Sequence, residues 1–226
     1  MTAYPPDFDA DIREMVGAVQ PFTMTSPERI LALREAVRHI VRHKVPGAIV
    51  ECGVWKGGSM MATARTLLAL GQKRNLFLFD TFCGMTTPEA IDRDLAGHPA
   101  ADLLNAPSPS ALIRAASPLD EVQQNMASTG YDPALVKYVV GPVEETVPAQ
   151  APDQIALLRL DTDWYASTAH ELQHLYPRLA AGGILIIDDY GHWQGARRAV
   201  DEFLAETRTP LFLHRIDYTG RIGVKP

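Results

Sequence analysis

The sequence predicts an α/β protein built on one mostly parallel sheet, with a single reversed strand near its C-terminus. Two observations carry this. Short aliphatic runs alternate with amphipathic helical stretches, the pattern of strand–helix–strand units that gives a parallel sheet with helices on both faces. The chain then ends LFLHRI-DYTG-RIGV, two runs joined by a tight turn, so the last pair must be antiparallel. Hydrophobic residues are 46% and charged residues 21% of 226, which suffices for one domain with one sizeable core.

The elements follow in order. An N-terminal helical segment covers residues 1–45. Its main helix is TSPERILALREAVRHIVRHK, where Thr25 or Ser26 can cap, Pro27 suits the first turn, and Ile30, Leu33, Val37 and Ile40 recur at helical spacing. GAIVECG reads as a buried strand. A helix from about Ser59 to Leu70 is closed by Gly71, and NLFLFD is the second strand. Residues 83–118 hold five prolines (Pro88, Pro99, Pro107, Pro109, Pro118) and little periodicity, the mark of a functional loop or mobile lid. A helix near 119–129 and the strand VKYVVG come next. IALLRLD and GILIIDD then flank a helix containing HELQH, a helix from about Gln194 to Glu206 follows, and the hairpin closes the chain. The sum is a Rossmann-like sheet of seven strands.

A net charge of -6 argues against general nucleic-acid affinity. The acidic N-terminus lacks the apolar core of a signal peptide, and no apolar run approaches the roughly 20 residues of a membrane span. A soluble, cytoplasmic protein is expected. Cys52 and Cys83 have no metal-type spacing and are not expected to form a disulfide.

HELQH, residues 170–174, spells the short motif of zinc metalloproteases. The helix must lay one face on the sheet. At about 100° per residue, Ala169, Leu172, Leu175, Tyr176 and Leu179 cluster on one side, and His170 and His174 fall roughly 160° away. The two histidines are therefore expected to face solvent, without a third ligand.

A better constellation lies at the strand ends. Asp161 ends RLD, and Asp188 and Asp189 end ILIIDD. If these strands are neighbours, about 4.8 Å apart, the three carboxylates meet at the carboxyl edge, where open α/β sheets bind ligands. Such acids repel, and an oxygen-preferring divalent cation would relieve the conflict. The alternative is that Asp188 or Asp189 caps the next turn or pairs with Arg197 or Arg198.

The loop ECGVWKGGS, Glu51 to Ser59, has glycines at 53, 57 and 58 that admit close backbone approach to a ligand. Its pattern is neither G-x-G-x-x-G nor a phosphate P-loop. Glu51 would repel a pyrophosphate but suits S-adenosylmethionine, which carries an ammonium and a sulfonium. Asp80, at the end of the second strand, can accept from ribose hydroxyls or cap a turn. Trp55 and Phe82 can pack on a cofactor or belong to the core.

VECGVWKGGSM, FDTFCGM, YVVGPVEETVP, LRLDTDWYAST and LIIDDYGHWQGARRAVDEF, preceded by FTMTSPERILAL, resemble the macrocin O-methyltransferase family in order and spacing. The resemblance covers about Gln20 to Phe203. It implies a single S-adenosylmethionine-dependent methyltransferase domain of class I fold. It also implies a small hydroxylated acceptor, a sugar or glycoside, and a role for Mg²⁺ or a similar cation. Neither nucleic acid nor membrane is an expected partner, and self-association is left open. Glu51, Gly53, Gly58 and Ser59 would hold the amino-acid end of the cofactor, with Thr23 and Met24 folding over it. Asp80 would bind the ribose, and Gly141 would border the adenine. Asp161, Asp188 and Asp189 would bind the cation, and residues 83–118 would form a mobile lid. Cys83 and Ala166 stand where the family pattern has glutamate.

The reaction needs a base for the acceptor hydroxyl. Asp161, between cofactor and cation, is the first candidate, and His192 and Asp163 are rivals. A catechol-type methyltransferase shares the metal logic. A nucleotide-binding oxidoreductase is disfavoured by Glu51, and a non-enzymatic binding module by the complete set of acids.

Overall fold

The computed structural model describes residues 4–106 and 112–226. Helix α1 (Ala10–Val19) lies in the acidic N-terminal stretch, where Ile12, Val16 and Val19 form a buried stripe and Asp9 caps by accepting from Ile12 N at 2.8 Å. Helix α2 (Pro27–Arg42) is capped by Ser26, not Thr25, through Arg29 N. Then come β1 (Ala48–Cys52), α3 (Gly58–Ala69), β2 (Leu76–Asp80), α4 (Ala100–Asn105), α5 (Leu119–Ala127), β3 (Val136–Val140), α6 (Val143–Thr146) and β4 (Ile155–Leu160). The chain finishes with α7 (Tyr165–Leu175), β5 (Leu179–Ile187), α8 (Gln194–Thr207), β6 (His214–Arg215) and β7 (Arg221–Val224).

The seven strands form one sheet in the order β3-β2-β1-β4-β5-β7-β6. Strands β1 to β5 pair in parallel, and β7 runs antiparallel to both neighbours, so one strand is reversed as expected. Two cores cover the faces. On one, Ile30, Val37 and Ile40 of α2 meet Ile49, Leu78, Leu157 and Ile186. On the other, Leu172 and Leu175 of α7 and Val200 of α8 meet Val50, Phe79, Leu158 and Leu185.

The period of two along each strand positions the polar residues as well. Ile49, Leu157 and Ile186 face α2. Two residues further along β1 and β4, so do Glu51 and Arg159, which are direct register partners. Asp161 and Asp188 continue the same face past the strand ends.

The helix bearing HELQH is α7, but its buried face is Ser167, Thr168, Glu171, Leu172 and Leu175. His170 and His174 are half-buried, not solvent-facing, and Ala169 is not at the centre of the buried face. Helix α6 packs beside α7, and Nε2 of His170 donates to the Val147 carbonyl at 2.9 Å. That bond commits one histidine to the backbone. Among the described residues, no grouping of three metal-ligating side chains includes either one. Glu171, the middle of the motif, is wholly buried and accepts from Thr162 Oγ1 at 3.0 Å.

Residues 83–106 are anchored by specific bonds. Trp164 Nε1 donates to Thr86 O at 3.1 Å, Gln194 N to Arg93 O at 2.9 Å, and buried Asp92 accepts from Tyr165 N at 2.8 Å. Ala100, Trp164, Trp193 and Ala196 form a small third core behind them. The segment expected as a lid is thus bonded to the starts of α7 and α8 at Thr86, Asp92 and Arg93, and residues 107–111 of that expectation lie outside the described residues.

Candidate active site

The strand order turns back between β1 and β4, so the loops leaving these strands part and open a crevice at the carboxyl edge. A cavity of about 390 Å³ fills it. Thr23, Met24, Gly53, Trp55, Ser59 and Asp80 line one side, and Asp161, Asp163, Asp188, Asp189 and His192 the other. Gly141 lines a smaller adjoining cavity with Asp80 and Asp161. Three expected residues do not reach the lining. Glu51 is 1% exposed beneath Arg159, Phe82 packs in the core facing α2, and Gly58 is pressed against Phe22, where a Cβ would come within 2.6 Å of its carbonyl oxygen.

One side of the cavity is set by Asp80. Its Oδ2 accepts from Val54 N at 2.6 Å and Trp55 N at 3.1 Å, and its Oδ1 from Phe82 N at 2.7 Å. One carboxylate therefore holds two loops in register; Oδ2 already accepts twice, and Oδ1 keeps a lone pair for a hydroxyl. Trp55, Phe82 and Asp163 all have left-handed φ (47°, 53° and 69°), a costly conformation for such residues that concentrates at binding sites. Gly53 is required where it stands: at φ 81° its missing Cβ would overlap the Asp161 carbonyl oxygen. The first turn of α3, behind Gly57, presents Ser59 to the cavity. Unpaired N–H groups of a first helical turn suit a carboxylate.

The opposite side is a charge network that the sequence reading did not include. Arg159 is buried, and its guanidinium meets Glu51 Oε1 at 2.6 Å, Asp161 Oδ2 at 2.8 Å, Asp188 Oδ1 at 2.7 Å and Thr25 Oγ1 at 3.0 Å. Arg29 of α2 pairs with Asp188 Oδ2 and, at 3.0 Å, with Asp217. Asp188 and Asp189 do not pair with Arg197 and Arg198, which reach Asp201 and Glu202 within their own helix. Against the two arginines stand Glu51, Asp161, Asp163, Asp188 and Asp189, so negative charge remains in surplus. Asp161, Asp188 and Asp189 each offer a carboxylate oxygen, all within 4.8 Å of one another, an all-oxygen set of the kind that suits Mg²⁺, Mn²⁺ or Ca²⁺. Among the described residues Glu51 Oε2 is buried with no partner, so this carboxyl is only half-satisfied beneath Arg159.

Burial raises the pKa of Glu51 to about 7, against the pull of Arg159, and Asp188 and Asp80 push in the same direction as burial. Burial, with the charge of Asp161, also raises Asp163 to about 7. Asp161 and Asp189 are raised as well, first by burial and then by like charges around them. A raised folded-state pKa stabilises the fold fully below the unfolded carboxylate value and loses that contribution as pH rises through the folded value. In EDTA the protein is therefore expected to melt at lower temperature as pH rises from about 5 to about 8. Mg²⁺ should restore stability mainly at the upper end. A melting temperature that is flat over this range in EDTA would contradict the stated protonation of the cluster.

Besides Arg159 and Arg29, sequence reasoning missed Glu171. Its signal was its i, i+4 relation to Ser167 and Leu175 on the buried face. The signal for Arg159 was its period-two spacing from Asp161.

The chain was compared with known proteins. The family described as Macrocin-O-methyltransferase (TylF) matches residues 3–222. An 8-demethyl-8-(2,3-dimethoxy-alpha-L-rhamnosyl)-tetracenomycin-C 4'-O-methyltransferase of Streptomyces olivaceus is 33% identical over 220 residues, 94% of this chain and 79% of that protein. A demethyldecarbamoylnovobiocin O-methyltransferase of Streptomyces niveus is 31% identical over 199 residues, 88% of this chain and 73% of that one. Among solved structures, the O-methyltransferase NovP superposes with a TM-score of 0.77 at 29% identity, covering 90% of this chain and 82% of that one.

Proposed function

The chain belongs to the macrocin O-methyltransferase family, and from that premise we propose that it methylates a hydroxyl on a sugar of a glycosylated small molecule, with a divalent cation held by Asp161, Asp188 and Asp189. The observation that carries this is the shared cavity: the loops held by Asp80 and the acidic cluster face each other across one space. S-adenosylmethionine supplies an electrophilic methyl on its sulfonium, and a divalent cation, here taken as Mg²⁺, supplies a Lewis acid that orients and acidifies an acceptor hydroxyl.

The chain's own residues do the rest. The first turn of α3 suits the carboxylate of the cofactor, Asp80 its ribose, and Gly141 the border of the adenine, while Glu51 lies beneath Arg159 and supports the site through that ion pair. Thr23 and Met24 close over the cofactor from the N-terminal side. Asp161 sits where the β1 and β4 loops touch, next to both halves of the site, and takes the proton from the attacking hydroxyl. With S-adenosylmethionine bound, the acceptor oxygen would take its methyl group, and the hydroxyl proton would rest on the Asp161 carboxylate. Arg159 holds that carboxylate in place. His192, whose pKa burial lowers, is the second candidate base.

The test is formation of S-adenosylhomocysteine from S-adenosylmethionine with a panel of para-nitrophenyl glycosides, with catechol as the rival acceptor. Turnover with glycosides is expected. Turnover with catechol alone would replace the sugar reading by the aromatic-diol reading.

A further inference from the structure

The turn joining β6 and β7 carries Tyr218, which is exposed although the backbone around it is fixed on every side. Thr219 is buried, and its Oγ1 donates to the Asp188 carbonyl at 2.6 Å. Gly191 N donates to Thr219 O at 2.9 Å, and a Cβ on Gly191 would overlap the Tyr218 carbonyl oxygen. Asp217 ties the turn to α2, accepting from Ser26 Oγ at 2.7 Å and pairing with Arg29, while its Oδ1 accepts from the N–H groups of Thr219 and Gly220. The turn is therefore rigidly seated on the strand end that bears Asp188 and Asp189.

The side chain on that rigid turn has no core to enter. Tyr218 is 55% exposed, yet it lines the cavity beside His192. Its hydroxyl lies 3.4 Å from His192 Nδ1, and the two rings stand nearly perpendicular. His192 is in turn edge-on to Trp193, with ring centroids 4.9 Å apart. The wall is thus a ladder of edge-to-face rings ending in one free aromatic surface at the cavity mouth. Folding gains little from leaving such a ring in water on an immobile backbone.

We propose that Tyr218 is a sugar-binding platform: the acceptor ring lays its C–H face on Tyr218 and turns its hydroxyl edge to the acidic cluster. The chemistry of the surroundings selects this class. One exposed ring next to carboxylates and guanidinium groups matches a ligand with one apolar face and a rim of hydroxyls. The inference rests on the glycoside reading above and adds a specificity-determining residue to it. Tyr218 does not act on the reacting atoms, so its loss should appear in acceptor affinity.

The experiment measures KM and kcat for the best para-nitrophenyl glycoside, with saturating S-adenosylmethionine and Mg²⁺, in wild type, Tyr218→Phe and Tyr218→Ala. Affinity for S-adenosylhomocysteine is measured alongside to report an intact cofactor side. Tyr218→Ala is expected to raise KM by about tenfold or more, an effect of the size of one well-packed aromatic contact. Its kcat and product affinity should stay within about twofold, and Tyr218→Phe should keep a KM near wild type, because the ring and not the hydroxyl makes the contact. Wild-type KM in Tyr218→Ala would overturn the platform while leaving the glycoside reading standing. A loss confined to kcat, or equal damage from Phe and Ala, would overturn it too, by assigning Tyr218 to chemistry or to its hydroxyl. Transfer to catechol but to no glycoside would remove both the platform and the reading beneath it.

Discussion

Arg159→Met is expected to lower the free energy of unfolding by about 3–5 kcal/mol near neutral pH, the usual cost of removing one partner from a buried ion cluster. The substitution keeps length and apolar bulk but withdraws the positive charge that Glu51, Asp161 and Asp188 share. Burial opposes the charged form of Arg159, but the three acids more than reverse this and keep it protonated. Left without it, the acids must ionise against one another or take up protons. The destabilisation should therefore be larger at about pH 8 than at about pH 5, and Mg²⁺ should recover part of it at the higher pH. Arg159→Lys keeps the charge but cannot present a planar fork to three acceptors at once, so a smaller loss of about 1–2 kcal/mol is expected. Urea unfolding at both pH values, with and without Mg²⁺, measures all of this. Wild-type stability for Arg159→Met at the higher pH would show that the cluster does not depend on this cation.

The strands and most helices were legible because burial writes itself into the sequence as periodicity. NLFLFD, IALLRLD and GILIIDD could be read as strands ending in acids, and the reversed pair could be read from DYTG. Helix α1 was less legible, since only Ile12, Val16 and Val19 mark it among acidic neighbours. The orientation of α7 was misjudged for a physical reason. The reading assumed that one apolar stripe faces the sheet, but α7 also packs against α6 and α8, and it buries Ser167, Thr168 and Glu171, with Glu171 held by Thr162. A helix with neighbours on several sides has no single apolar face.

The acids of the site were legible as strand-end residues, and their counter-charges were not. Arg159 looks like an interruption in IALLRLD until the register sets it opposite Glu51. Arg29 looks like a surface residue of α2, and only the three-dimensional approach of α2 to the end of β5 brings it to Asp188. The hairpin tip shows the same limit. DYTG signals a turn, but nothing in its spacing says that the turn would be fastened to the Asp188 carbonyl with Tyr218 at the cavity mouth. Local chemistry reads from sequence, whereas pairings across the sheet and between layers need the register.

Asp189→Asn is the substitution expected to separate metal from cofactor most cleanly. Asp188 is bound by both Arg29 and Arg159, so replacing it would disturb the ion network together with any cation. Among the described residues Asp189 pairs with neither arginine; its Oδ2 accepts from Asp163 N at 3.2 Å, and its carboxyl also hydrogen-bonds that of Asp163, contacts that asparagine can keep. The proposed mechanism then predicts a fall in kcat of about 10²–10³-fold at a fixed, moderate Mg²⁺ concentration, the scale seen when one electrostatic stabiliser is lost. The Mg²⁺ concentration for half-maximal rate should rise, and excess Mg²⁺ should recover part of the activity. Affinity for S-adenosylhomocysteine should stay within about threefold of wild type, because the proposed cofactor contacts lie at Asp80 and the loop before Ser59. Asp161→Asn should be worse and should not recover, since it loses a ligand and the base together. Calorimetric titration of the product and rate measurements against Mg²⁺, with EDTA as the zero point, read these differences. Full turnover in EDTA would reject the metal mechanism. Equal recovery of the two variants would keep the cation but take the proton away from Asp161, leaving His192 as the base, on the same wall of the cavity.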